Sequence, residues 1–382
     1  MSAFDDMERV DIEPASHLIS RADYLNASAR PEAAKVRDLV DRLLAQYPEN
    51  KRDTMVRRLR SRDDRLHRSA SFELLLHGLV ISRGFTVIEI EPELSDGRAP
   101  DFLVGALDGR EFFLEATVAE GEAGTDRGAD RRTREVLQAL DQVLSPDFFL
   151  SLHCRGVPAQ PVRLRRLRDQ VQRFIDGLDY KASVAAFQAG RPLPQHHFAE
   201  HGLTVTVGVI PKNSRGPGGR AVGGRMLPGG IINPERAIQA AVEEKAGRYG
   251  ALDRPYIIAV NALDTFASGD AAVDALFGTE VAVVTAERGM QCRRNPDGVW
   301  MRPGGPAYTR VSAVLSTERL SPWDVGQRRL RLIHNPWAAR PILDLPLGVD
   351  MQRVVESHLQ TDAGLSLAGI LGLAAGWPEG GG

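Results

Sequence analysis

The chain has 382 residues, 43% hydrophobic and 26% charged, enough apolar material to bury a core and to exclude disordered and collagen-like classes. Its 48 basic and 50 acidic side chains leave a formal net charge of −2, so no global field marks a polyanion or a membrane as partner. Cys154 and Cys292 are too few for a disulfide framework or a zinc ribbon. The acidic beginning, without an apolar stretch, and the short weakly polar segment 365–377 carry no secretory or membrane-spanning signal, which gives the expectation of a cytoplasmic protein with no membrane partner.

The first 30 residues are polar and aperiodic and read as an arm. Pro31 then opens an amphipathic helix whose stripe is Val36, Leu39, Val40, Leu43, Leu44 and Tyr47. Residues 51–68 carry eight Lys or Arg against three Asp, a solvated helix face or a patch for a polyanion. Residues 71–84 predict a helix with Ser71 at its N-cap and Gly84 just past its end. Three strands follow, FTVIEIEPEL, DFLVGAL and REFFLEATVA, joined by turns at SDGR and at Asp108-Gly109. A helix over 131–145 and a fourth strand, DFFLSLHC, complete the series helix, three-strand meander, helix, strand.

Beyond it the pattern predicts an Arg-rich helix near 162–178, a strand at 203–210 and a long Gly/Arg/Pro-rich loop at 213–230. A helix over 234–249 and strands at 255–260, 280–285 and 310–315 come next. The expected organisation is α/β: an N-terminal arm with amphipathic helices (1–68), a core (69–160), a C-terminal α/β elaboration continuous with it (161–345) and a tail (346–382).

The candidate chemistry lies in the meander. Glu73 and His77 sit in a gap between apolar arcs of their helix, where an ionised Glu needs a cation, a donor or a cavity. Glu115 and Thr117 share a strand face. A two-residue turn at Asp108-Gly109 would place Asp101 opposite Ala116, on the other face. A three-residue loop with Gly109 in the left-handed region would place it opposite Glu115, within about 5 Å. Carboxylates that close need a cation, and hard oxygen donors suit Mg²⁺ or Mn²⁺.

Taken together, Glu73 in the first helix, Pro100-Asp101 at the second strand and Glu115-Ala116-Thr117 in the third resemble the PD-(D/E)XK, or restriction-endonuclease-like, nuclease superfamily. The resemblance covers roughly residues 70–152. It implies a restriction-endonuclease-like core, a metal-dependent nuclease acting on DNA, and Mg²⁺ or Mn²⁺ held by Asp101, Glu115 and the Ala116 carbonyl, with Glu73 supporting or ligating it. The sequence departs from the pattern at Thr117, which stands where the family has Lys. Candidates to take over its role are Arg131, Arg134, Gln138 and Gln142 on the following helix, or Lys245 from farther along. Lys245 and Tyr249, i and i+4 on their own helix, are otherwise expected to pack or face solvent. Arg57, Arg58, Arg131, Arg134, Gln138, Arg165 and Arg168 are the candidate nucleic-acid contacts. The alternative is a catalytically inactive module of the same fold that binds nucleic acid or a protein partner. A homodimer is compatible with the sequence, which does not set the oligomeric state. His196, His197 and His201 are expected in a polar loop.

Overall fold

The protein is described from a computed structural model covering residues 2–120, 127–212, 222–226, 234–263, 269–285, 289–356, 358–374 and 376–379. It is a mixed α/β protein. Four helices come first: α1 (Arg21–Ala27), α2 (Pro31–Gln46), α3 (Glu49–Leu59) and α4 (Asp64–Ser82). The segment expected to be an arm therefore contains α1, whose N-cap Ser20 accepts from the Asp23 N–H. The stripe of α2 is buried as its periodicity requires. α4 begins earlier than its apolar run: Asp63 is the N-cap, accepting from the Arg65 N–H, and Ser71 lies buried in the helix interior. Asp caps as well as Ser does, so the polar turn before the apolar run can be helical too. The other end is as expected. Gly84 has φ +79°, and the Gly84 and Phe85 amides donate to the carbonyls of Ile81 and Val80, closing the helix.

The meander follows as β1 (Thr86–Ile90), β2 (Phe102–Gly105) and β3 (Glu111–Ala119). Next come α5 (Arg127–Asp141), β4 (Phe148–Arg155), α6 (Leu164–Asp176), α7 (Tyr180–Gln188), β5 (Gln195–Glu200), β6 (Leu203–Pro211) and β7 (Val222–Met226). The chain continues through α8 (Pro234–Arg248), β8 (Tyr256–Ala262), α9 (Gly269–Phe277), β9 (Glu280–Thr285), β10 (Gly289–Arg294), β11 (Met301–Arg302) and β12 (Gly305–Pro306). Last are β13 (Ala313–Glu318), β14 (Arg331–His334), β15 (Asp350–Val355), β16 (His358–Asp362) and α10 (Leu367–Ile370).

These elements form two compact units that cut across the expected segmentation. The larger comprises Met1–Glu13, Ser20–Gly121 and Asn233–Gly382; the smaller comprises Pro14–Ile19 and Glu122–Ile232. An eight-stranded sheet ordered β1-β2-β3-β8-β13-β14-β15-β16 runs through the larger unit. The smaller has its own sheet, β5-β6-β4-β7, under a core of Val136, Leu140, Leu167, Val171 and neighbours. The fourth strand expected beside the meander, β4, therefore belongs to the smaller unit. The strand that continues the large sheet is β8, parallel to β3 and reached through α8. The C-terminal stretch expected as a tail supplies the two end strands, β15 and β16. Much of the expected loop at 213–230 falls outside the described residues, and within it β7 is a strand.

Both faces of the large sheet are covered at its centre, which is why Tyr256–Val260 of β8 reads as an apolar run. Phe112, Leu114, Phe102 and Val104 pack with α2, α3 and α4 on one side. Phe113, Tyr256, Ile258 and Val260 pack with α8 and α9 on the other. By this alternation Glu115 points to the α8 side.

The loop between β2 and β3 settles the register. Phe102 pairs with Leu114 and Gly105 with Glu111, and the Ala106 N–H donates to the Arg110 carbonyl at 2.8 Å. The loop is thus the three-residue form, with Gly109 at φ +82°. Nothing lies within 4 Å of a Cβ added at Gly109, so Gly109→Ala meets only the left-handed backbone penalty. It is expected to lower stability by about 1–2 kcal/mol in a urea titration; an unchanged midpoint would contradict this account of the loop.

Candidate active site

Asp101 lies just before β2 and, by the register, opposite Glu115. The Asp101 N–H donates to Glu115 Oε2 at 3.2 Å, and the Ala116 N–H donates to Asp101 Oδ2 at 2.6 Å. The two carboxyl groups are laced together through the backbone of Asp101 and of Ala116, the residue after Glu115. Glu115 is 1% exposed. Its charge is met from α8: Lys245 Nζ lies 2.6 Å and Arg248 Nη1 3.6 Å from Oε1, while the Tyr249 hydroxyl is 2.7 Å from Oε2. Lys245 and Tyr249 are one helical turn apart, which brings both onto the same carboxylate. Tyr249 packs as expected, 1% exposed in the core on this side of the sheet, while Lys245, which the sequence also offered in place of the family's Lys, lies against Glu115 instead of in solvent.

Glu73 reaches the site from α4 and is also buried. Tyr47, at the end of α2, donates to its Oε1 at 2.9 Å, and Arg58 of α3 lies 2.7 Å from its Oε2. Arg58, a candidate phosphate contact from sequence, is instead committed to Glu73. Burial, reinforced by the neighbouring carboxylates, holds the Tyr47 and Tyr249 hydroxyls protonated well above the ordinary tyrosine range, so each serves as a donor. His77, one turn beyond Glu73, is pushed down to about 4 by burial and stays neutral between Tyr47 and Phe102.

Glu73 and Glu115 each have a cation, whereas among the described residues Asp101 has no ion-pair partner at salt-bridge distance. Burial first, then Glu115 and Glu73, raise its carboxyl from 3.8 to about 8. A carboxyl raised on folding is fully tolerated below its unfolded pKa and costs stability as pH climbs through the folded value. The protein should therefore lose up to a few kcal/mol relative to Asp101→Asn between pH about 4 and about 8. Parallel denaturation curves for the two proteins across that range would refute this.

The remaining candidates are scattered. Thr117 is partly buried on β3 beside Val260, two residues past Glu115. Arg57 is exposed on α3 and donates to Thr54 Oγ1. Arg131, Arg134, Gln138, Arg165 and Arg168 belong to α5 and α6 of the smaller unit, not to the unit that carries the carboxylates. Arg131 pairs with Glu135, and Gln138 accepts from the His17 N–H. Gln138, Arg165 and Arg168 do share a groove of about 230 Å³, where Arg168 donates to Gln142. His196 and His197 lie on β5 rather than in a loop, and His201 occupies the tight turn into β6 at φ +50°. His197 makes a 2.9 Å bond with Thr206 across the strand pair.

Tyr47 and Tyr249 are the site residues that sequence reasoning missed. For Tyr249 a signal existed, its i, i+4 spacing from Lys245. Tyr47 reads as the end of an apolar stripe and gives none. No group of three or more His, Cys, Asp or Glu side chains among the described residues is arranged to hold a metal ion. No helix of the described residues is long and apolar enough to cross a membrane. Comparison with known proteins finds no family model, curated protein or solved structure that matches the chain.

Proposed function

We propose that the protein is a metal-dependent nuclease that hydrolyses phosphodiester bonds in nucleic acid, with DNA as substrate. The observation that carries this reading is Lys245 Nζ at 2.6 Å from Glu115, beside Asp101. It supplies, from α8, the cation that Thr117 cannot. The chain order α4, β1, β2, β3, α8, β8, with the smaller unit inserted between β3 and α8, supports a restriction-endonuclease-like core.

The donors fit a hard divalent cation. Asp101 and Glu115 converge from neighbouring strands, and Asp101 is short of positive charge. Mg²⁺ is commonly held by one or two carboxylates and several waters, so a third protein carboxylate is not required. Asp101 and Glu115, with the Ala116 carbonyl, would hold Mg²⁺ or Mn²⁺. Such an ion supplies charge to the scissile phosphate and lowers the pKa of water. Lys245 orients the attacking water and stabilises negative charge on the phosphate. Tyr249 fixes the Glu115 carboxylate, and Arg58 with Tyr47 fixes Glu73. Cleavage of plasmid and single-stranded DNA with Mg²⁺ or Mn²⁺ is the test. Equal behaviour of wild type and Asp101→Ala would sink the proposal.

One observation favours the alternative of an inactive nucleic-acid-binding module: both oxygens of Glu115 already have protein partners. Calorimetry separates the two. An inactive module binds nucleic acid without Mg²⁺ or Mn²⁺, and its affinity survives Asp101→Asn.

A further inference from the structure

The helix that brings Lys245 and Tyr249 to Glu115 ends beside a cleft of about 760 Å³ in the same compact unit. Its walls include Leu252, Tyr308, Thr309, Arg310 and Arg340. Three arginines are tied to carbonyls at or just past the end of α8. Arg98 donates to Arg248, Arg310 to Tyr249, and Arg340 to Leu252 at 3.0 Å. Cations at a helix C-terminus are favourable, and capping accounts for one N–H of each. It does not account for the rest. A guanidinium has five N–H donors, and among the described residues none of these three arginines has an ion-pair partner. Arg302, also in the wall, is neutralised by Glu243 and adds no net charge. Arg310 and Arg340 are exposed. They present uncompensated, pre-oriented forks to a concavity, and such forks match phosphate oxygens.

Tyr308 adds a second, independent feature. It is partly buried, so its ring is braced from behind, and its backbone sits at φ +49°. A non-glycine residue in the left-handed region is strained and is retained where surrounding structure holds it, commonly at ligand sites. A braced aromatic ring beside two unpaired arginines is what a single-stranded nucleic acid requires: a face for a base and cations for the flanking phosphates.

We infer that this cleft is a binding groove for single-stranded nucleic acid, with Arg310 and Arg340 on consecutive backbone phosphates and a base stacked on Tyr308. The inference names the substrate class of the proposed site and rests on that reading for its choice of a phosphodiester chain. The Tyr249 main chain anchors Arg310 while the Tyr249 side chain holds Glu115, so the groove adjoins the carboxylates through one residue.

The test is binding of a labelled, unstructured oligodeoxynucleotide to the full chain, without divalent metal, across a salt series. The double variant Arg310→Gln/Arg340→Gln keeps a donor for each carbonyl and removes both charges. It should lower the slope of log affinity against log salt by about 1.4, two phosphates at roughly 0.7 each. The pair Arg310→Lys/Arg340→Lys should restore most of that slope. Tyr308→Ala should weaken binding about tenfold and leave the slope unchanged. On the unmutated protein, the oligonucleotide should protect Arg310 and Arg340 from an arginine-selective dicarbonyl reagent. An unaltered slope in the Gln pair, or no protection, overturns the groove. Binding through the groove without cleavage would overturn the nuclease reading and leave the groove standing. Cleavage indifferent to the groove variants would do the reverse.

Discussion

Lys245→Met should lower Mg²⁺- or Mn²⁺-dependent DNA cleavage by about 10²–10³-fold, the usual effect of losing a preorganised group that stabilises charge in the transition state. The same substitution should cost stability. Lys245 is only 14% exposed, and its removal leaves Glu115 with the Tyr249 hydroxyl, the Asp101 N–H and a more distant Arg248. Breaking a buried pair from one side typically costs about 3–5 kcal/mol, and Arg248 should hold the loss toward the lower figure. The two effects separate in measurement, cleavage under single-turnover conditions against urea denaturation without metal. A variant that is destabilised but cleaves at the wild-type rate would make Lys245 a structural counter-ion only.

Glu115→Gln should lower metal-free stability by about 3 kcal/mol at neutral pH and abolish any stabilisation by Mn²⁺. If repulsion between Asp101 and Glu115 dominated the site, the isosteric amide would instead stabilise the protein. The structure argues for loss, because Glu115 is surrounded by donors: Lys245, Arg248, the Tyr249 hydroxyl and the Asp101 N–H. Removing its charge strands a largely buried ammonium. The double variant Glu115→Gln/Lys245→Met should be less destabilised than the sum of the single variants, by about 1–3 kcal/mol of coupling. Strict additivity would mean that the ion pair contributes nothing.

The meander and its carboxylates were legible in the sequence because they are local. Alternation gave the strands, and the Asp108-Gly109 turn narrowed the register to two forms that differ in loop length, in whether Leu107 or Ala106 pairs with Arg110. The cation was legible only as one candidate among five. Lys245 lies 130 residues from Glu115, and nothing local singles it out from Arg131, Arg134, Gln138 and Gln142. The role of β4 was misread although the segment carries a mark. It alternates buried and exposed residues, as a sheet with one open face requires, whereas β8, the strand that pairs with β3, is buried along its whole length. The start of α4 was misplaced because Asp63 and Ser71 are both competent N-caps, and the choice depends on packing of the turn between them.

The insertion between β3 and α8 also sets an order of assembly. During synthesis Asp101 and Glu115 leave the ribosome before the lysine and tyrosine that neutralise and clamp Glu115. At 5–20 residues per second, the 130 residues separating Lys245 from Glu115 take roughly 7–26 s to make. Through that interval an ionised Glu115 cannot be desolvated at reasonable cost, so the nascent meander has reason to stay loosely packed. The smaller unit, with a hydrophobic core of its own, is complete before Lys245 emerges and can consolidate first. Closing β8 against β3 then spans a knot of folded chain rather than a long flexible loop, a difference felt in folding rate more than in final stability. Limited proteolysis of arrested chains would show it: those ending before Lys245 should be cut within the meander, and those extending past β8 should resist.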